Sequence, residues 1–125
     1  MEIKDLTKAE EQLMQIIWQL EKGFVKEVMD HLPEPKPAYN TVSTIIRILE
    51  TKGFLAHHAF GKAHQYYPII SKEDYKRHAT SKLLGNYFEN SVESMISFFV
   101  KEEKLDLSDV DEILKMINNM KNRPR

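Results

Sequence analysis

Ala9, Leu13, Ile16, Ile17 and Leu20 recur with a period of about 3.6 residues, which predicts a helix from roughly Lys8 to Glu21. Thr7 and Glu10 stand at its start with the S/T-x-x-E spacing, in which each side chain satisfies an orphan amide of the first turn. Lys22-Gly23 follows as a basic residue and a glycine able to take the left-handed cap. Val25, Val28, Met29 and Leu32 form a shorter second stripe. It is stopped by Pro33-Glu34-Pro35-Lys36-Pro37, whose prolines forbid helix and favour an extended crossing. A third helix is expected from Tyr39 or Asn40 to Lys52, with Val42, Ile45, Ile46 and Leu49 on its apolar side and Gly53 ending it.

After Gly53 the period changes. Phe54 to Phe60 and His64 to Ile69 are short runs of aromatic and β-branched residues joined by Phe60-Gly61-Lys62-Ala63, a β-hairpin with its tip near Gly61 and Lys62. Three helices followed by a hairpin is the order of a winged helix-turn-helix, whose second and third helices form the angled pair. Beyond Ser71 the pattern is helical throughout. Ser71-Lys72-Glu73-Asp74 starts a fourth helix carrying Tyr75, Ala79, Leu83 and Tyr87 in one row, with Leu84 and Phe88 beside it and Gly85 as a point of weakness. Val92, Met95, Ile96, Phe99 and Val100 make a fifth stripe. Ser108-Asp109-Val110-Asp111 caps a sixth bearing Val110, Ile113, Leu114, Ile117 and Met120, and Asn118 to Arg125 reads as a frayed polar tail.

The expected fold is therefore mainly α (α+β): a winged helix over residues 1–70 and a helical region over residues 71–125. A region of ~60 residues buries only about 60% of its unfolded surface by itself, so the second part needs a cover, and a second subunit is the simplest one. Leu83, Leu84, Tyr87, Phe88, Met95, Ile96, Phe99, Val110, Ile113, Leu114 and Ile117 are the residues expected in such a homodimer interface.

Composition narrows the function. The 125 residues carry 18 Lys and Arg against 19 Asp and Glu, a net charge of -1, so bulk electrostatics advertise neither nucleic acid nor membrane. Any such partner must meet a local patch. Between Lys36 and Tyr67 four basic residues (Lys36, Arg47, Lys52, Lys62) face one acidic residue, Glu50, a local +3 over the third helix and the hairpin. The absence of Cys excludes disulfides, Cys-based metal sites and thiol catalysis. With no apolar leader and no apolar run beyond Met95 to Val100, a cytoplasmic protein without membrane insertion is expected.

Catalysis has little to work with: no Gly-rich phosphate loop, no HExxH, no GxSxG, and no implied cofactor. His57 and His58 alternate across a strand and only His64 can join one of them, which does not close a metal site. DNA is the better partner. Short polar side chains and Arg read base edges in the major groove, and cations neutralise phosphates. Asn40, Thr41, Ser43, Thr44 and Arg47 have that reach on the third helix, with Lys36, Lys52 and Lys62 placed for phosphates. Two rivals stand beside this: a winged-helix interaction module without DNA, and a small hydrolase, for which no acid-base pair offers itself.

Several motifs occur together and in order: Leu6-Thr7-x-Ala9-Glu10, Ile17-Trp18, Pro37-Ala38-Tyr39-x-Thr41-Val42-x-Thr44, Leu49-x-x-Lys52-Gly53 and Tyr66-Tyr67-Pro68, then a helical tail with Ser94-Met95. As an ensemble covering roughly residues 5–120, they resemble the penicillinase repressor (BlaI/MecI) family of winged-helix transcriptional repressors. The resemblance implies a dimer on a palindromic operator, with the third helix, Tyr39 to Arg47, in the major groove and the Gly61-Lys62-Ala63 wing tip at the backbone. It also implies release through a membrane sensor metalloprotease, with cleavage between Phe98 and Phe99, where the family commonly has Asn in place of Phe98. Ile48 stands where a basic residue is frequent, and Phe24 and Ala38 where a Ser or Thr cap is common. Lack of Cys removes the copper-responsive route known in one branch, and Trp18 and Tyr66 are expected to pack rather than stack on bases.

Overall fold

The computed structural model describes residues 2–121. In chain order the elements are α1 (Lys8–Leu20), β1 (Gly23–Phe24), α2 (Val25–Asp30), α3 (Tyr39–Thr51), β2 (Leu55–Phe60), β3 (Ala63–Pro68), α4 (Lys72–Tyr87), α5 (Val92–Lys101) and α6 (Leu107–Lys121). The chain divides into two compact units, Met1–Ala79 and Thr80–Arg125.

In the first unit the capping box forms as its spacing requires. Glu10 N–H donates to Thr7 Oγ1 at 3.2 Å and Thr7 N–H to Glu10 Oε1 at 2.8 Å, so two orphan amides of α1 are satisfied. Leu13, Met14, Ile16 and Ile17 of α1 then meet Val25, Val28 and Leu32, the Val42, Ile46 and Leu49 side of α3, and Phe54, Leu55, Tyr66 and Ile70 in one buried core. Trp18 and Tyr75 pack at its edge. Trp18 Nε1–H donates to the Ile70 carbonyl at 2.9 Å, and Leu6 N–H donates to the Tyr75 hydroxyl at 3.0 Å. Through Tyr75 the first turns of α4 belong to this unit, whereas a boundary near residue 70 was expected.

The sheet is antiparallel in the order β1-β3-β2. The hairpin pairs Leu55 with Pro68 and Phe60 with Ala63, and Gly61 at its tip has φ +63°. Alternation sends neighbouring histidines to opposite faces: His57 stacks on His64 and His58 on Tyr67. Strand β1 was not expected. Gly23 was assigned to the cap of α1, but Glu21 takes the left-handed conformation instead (φ 71°), and Gly23 pairs with Tyr66. Gly23 is buried beside Leu20 and Val28, with room there for an ordinary Cβ contact. Gly53, with φ +87°, does end α3.

In the second unit Ser91 caps α5, its Oγ accepting from Ser94 N–H at 3.0 Å. Helix α6 starts one residue before the expected Ser108 cap. Asp106 and Asp109 exchange backbone-to-carboxylate hydrogen bonds of 3.1 and 2.9 Å, a reciprocal cap that uses Asp106 as the boundary residue. Helix α4 continues through Gly85 without a break. Asn118 to Lys121 are helical rather than frayed, while the rest of the expected polar tail lies outside the described residues. From Thr80 to Lys121 no described residue is buried. Leu83, Tyr87, Leu114, Met116, Ile117 and Met120 all stand exposed. No described helix is long and apolar enough to cross a membrane.

Candidate nucleic-acid interface

Helix α3 is held by one side only. Val42, Ile46 and Leu49 are at most 1% exposed, and burial of such side chains is worth about 2 kcal/mol each, which fixes the rotation of the helix about its axis. The opposite side is thereby turned outward. Asn40, Thr41, Thr44 and Arg47 are exposed, Ser43 is half-buried, and Tyr39 and Ile48 present 48% and 42% of their surface. Thr44 Oγ1–H donates to the Asn40 carbonyl at 2.8 Å, leaving its oxygen lone pairs and methyl group outward. Arg47 lies along the helix, with Nε–H donating to the Ser43 carbonyl at 3.4 Å. The N-cap Ala38 has extended dihedrals and offers no side-chain acceptor, and its carbonyl accepts the Thr41 and Val42 amides at 3.0 and 3.2 Å.

Beside this face runs a groove of about 640 Å³ between the start of α2, α3 and the wing. Tyr39, Ser43 and Arg47 line it from α3, Lys62, Ala63 and His64 from the wing, and Phe24, Lys26 and Glu27 from the α2 end. The cations are in place because the hairpin folds back over α3 through the buried Leu55 and Tyr66. Among the described residues Arg47, Lys62 and Lys26 have no ion-pair partner, and Glu27 is occupied as a cap, accepting Phe24 N–H at 2.9 Å. Tyr66 closes the groove floor. Burial, with the Glu50 carboxylate adding to it, pushes its phenol above the usual range, so it stays neutral and packs rather than ionises.

The expected residues do not all converge here. Tyr39, Ser43, Arg47 and Lys62 share the groove, while Asn40, Thr41 and Thr44 lie on the exposed side of α3. Lys36 is exposed in the proline crossing, its Nζ–H₃ donating to the Met29 carbonyl at 2.8 Å. Lys52 is engaged within the fold: its ammonium is 2.6 Å from Glu10 Oε1 and 3.3 Å from the Asp5 carbonyl, so it clamps α3 to the start of α1. Burial raises the Glu10 carboxyl, but Lys52 and the Thr7 amide outweigh it and hold it below the usual range. Lys26 and His64 were missed. The signal for Lys26 was its place at the start of the second helix, whereas His64 needed the hairpin register. Glu50 lies beside His57, yet no group of three or more His, Asp or Glu among the described residues is arranged to hold a metal ion. Phe98 is 48% exposed and Phe99 half-buried, and the bond between them lies within α5.

A third helix anchored by its aliphatic side, a two-stranded wing and a cationic groove between them define a winged helix-turn-helix protein. The chain belongs to the Penicillinase repressor family, whose model matches residues 6–119. It is 26% identical over 124 residues to the "Penicillinase repressor" of Bacillus licheniformis, covering 98% of this chain and 97% of that one. It is 24% identical over 115 residues to the "Methicillin resistance regulatory protein MecI" of Staphylococcus aureus (strain N315), covering 91% and 94%. Among solved structures it is similar to the DNA binding domain of the repressor BlaI in solution, with TM-score 0.52 and 31% identity, over 59% of this chain and 92% of that one.

Proposed function

We propose that this protein is a transcriptional repressor of the cytoplasm that occupies a palindromic operator in duplex DNA as a homodimer. The observation that carries the reading is the outward polar side of α3 beside three cations without ion-pair partners among the described residues, Arg47, Lys62 and Lys26. Asn40, Thr41, Ser43, Thr44 and Arg47 read base edges, Tyr39 and the wing flank them, and Lys26, Lys36 and Lys62 neutralise phosphates. So few cations per protomer bind weakly alone, and two copies on two half-sites double the phosphate contacts. Membership in the family and the repressor names of the relatives support the same reading, and their names point to control of antibiotic resistance.

Dimerisation is assigned to residues 71–125, because an unburied set of helices with this much apolar surface needs a cover. Met95, Ile96, Phe99, Val110 and Ile113 are half-buried within one copy, and Leu83, Leu114 and Ile117 exposed. Release by a sensor metalloprotease through the Phe98–Phe99 bond belongs to the same reading and requires α5 to unwind locally.

The test is selection of duplexes of about 30 base pairs from a randomised pool, followed by binding at two salt concentrations. Enrichment of a two-fold symmetric sequence, with affinity that falls steeply with salt, is the expected result. No enrichment, or binding indifferent to salt, would favour an interaction module that uses the same fold on a protein partner.

A further inference from the structure

Two imidazoles meet where the wing crosses α3, and the DNA-binding reading does not account for their arrangement. His57 of β2 and His64 of β3 stack face to face, with ring centroids 4.1 Å apart and planes 7° from parallel. On its far side His57 Nδ1 lies 2.6 Å from Glu50 Oε2 of α3, both side chains about 30% exposed at 29% and 31%. His64 is exposed and lines the groove. The other charged and titratable groups turned toward this corner are Arg47 and Tyr39 from α3, Tyr66 from β3, Lys62 from the turn, and Lys26 and Glu27 from α2.

The Glu50 carboxylate is engaged by His57, and positive charge on His64 is opposed by Arg47 and Lys62 along the groove. An anion brought into the groove reverses that balance, and a backbone phosphate is the anion the proposed function brings. We infer that His64 is a further DNA-contacting residue that takes up a proton from solvent as a duplex phosphate enters the groove, with the His57–Glu50 pair as its positioning support. The inference rests on the DNA-binding reading and adds proton linkage to it. No covalent bond changes; the proton comes from buffer and returns to it on release.

The sign follows from linkage. The complex binds more protons than its free components, so affinity rises as pH falls through the imidazole range near about 6.5, by at most about tenfold per pH unit for one proton. The remaining described histidines are engaged elsewhere: His31 with the Glu27 carbonyl, His58 on the Tyr67 ring, and His78 with Asp5.

The experiment measures binding of the full-length protein to a fluorescent duplex selected as above, at about pH 6 and about pH 8, each at two salt concentrations. For each protomer wild type is expected to bind roughly five- to tenfold tighter at the lower pH, with the slope of log K against log salt steeper by about 0.9 per protomer, or about 1.8 for the dimer. His64→Gln should lose both effects, the pH dependence and the steeper salt slope at low pH. His64→Lys should bind tightly at both, its charge being fixed. His57→Gln should keep the dependence in weakened form, since His64 loses the stacked ring that positions it. Binding by wild type that is equal at both pH values, or a dependence that survives in His64→Gln, overturns the inference and leaves the repressor reading standing. Failure to bind any selected duplex at either pH overturns both.

Discussion

Replacing Lys52 by Met separates a clamp from a DNA contact. The substitution keeps the aliphatic stem and removes the ammonium that lies 2.6 Å from Glu10 Oε1. Glu10 is 5% exposed, so its carboxylate then faces the core edge with the Thr7 amide, at 2.8 Å, as its remaining hydrogen-bond donor. Removing one partner of a fully buried pair costs roughly 3–5 kcal/mol, and an exposed pair is worth about 0–1. With the Lys52 side chain 24% exposed, water replaces part of the loss, and about 2 kcal/mol is expected. In urea that is a midpoint lowered by roughly 1 M at fixed protein concentration. The pH dependence carries a second signature. In the wild type the Glu10 carboxyl is held below its ordinary value of 4.5, so its stabilisation is complete above that value and is lost as pH falls through the folded one. Without Lys52 burial is opposed by Thr7 alone, so the carboxyl rises relative to wild type and the difference between variant and wild type closes in acid. DNA affinity near neutral pH should stay within about twofold, with an unchanged salt slope. An unmoved urea midpoint together with a salt slope shallower by about 0.9 per protomer, or about 1.8 for the dimer, would refute the clamp and return Lys52 to the phosphate set.

Arg47→Ala should lose at least ~1 kcal/mol of operator binding while leaving the dimer intact, read by anisotropy and sedimentation; unchanged affinity removes Arg47 from the readout set. Ile48→Arg adds a cation to a 42%-exposed position on the same side of α3, so binding at low salt should tighten several-fold and the salt slope steepen by about 0.9 per protomer, or about 1.8 for the dimer. An unaltered slope would place Ile48 away from the backbone. Leu114→Asp puts a charge into the proposed apolar interface and should yield monomers by sedimentation, whereas a persistent dimer would move the interface off that side of α6.

The helices, the hairpin and the outward side of α3 were legible in the sequence because each rests on local physics. Val42, Ile46 and Leu49 recur at helical spacing, Thr7 and Glu10 cap through bonds three residues apart, and Gly53 and Gly61 sit where the backbone needs positive φ. These interactions span a few residues, so their partners can be counted along the chain. The same is true of the apolar rows of α5 and α6, whose lack of burial within one copy agrees with a pattern too rich in apolar residues for its length.

What the sequence could not settle was decided by groups far apart in the chain. Strand β1 exists because Gly23 and Phe24 find Tyr66 and Gln65 across the sheet, partners no local rule supplies. Lys52 and Lys62 are equal as charges in a composition. Tertiary packing brings one against Glu10, forty-two residues away, and leaves the other beside Arg47 in the groove. Likewise Glu50, His57 and His64 became one cluster only through the register of β2 with β3 and the seat of both on α3. Sequence by itself determined which surfaces each element has. The fold decided which charges remain free to meet a partner, because ion pairing depends on distance in space and not on separation along the chain.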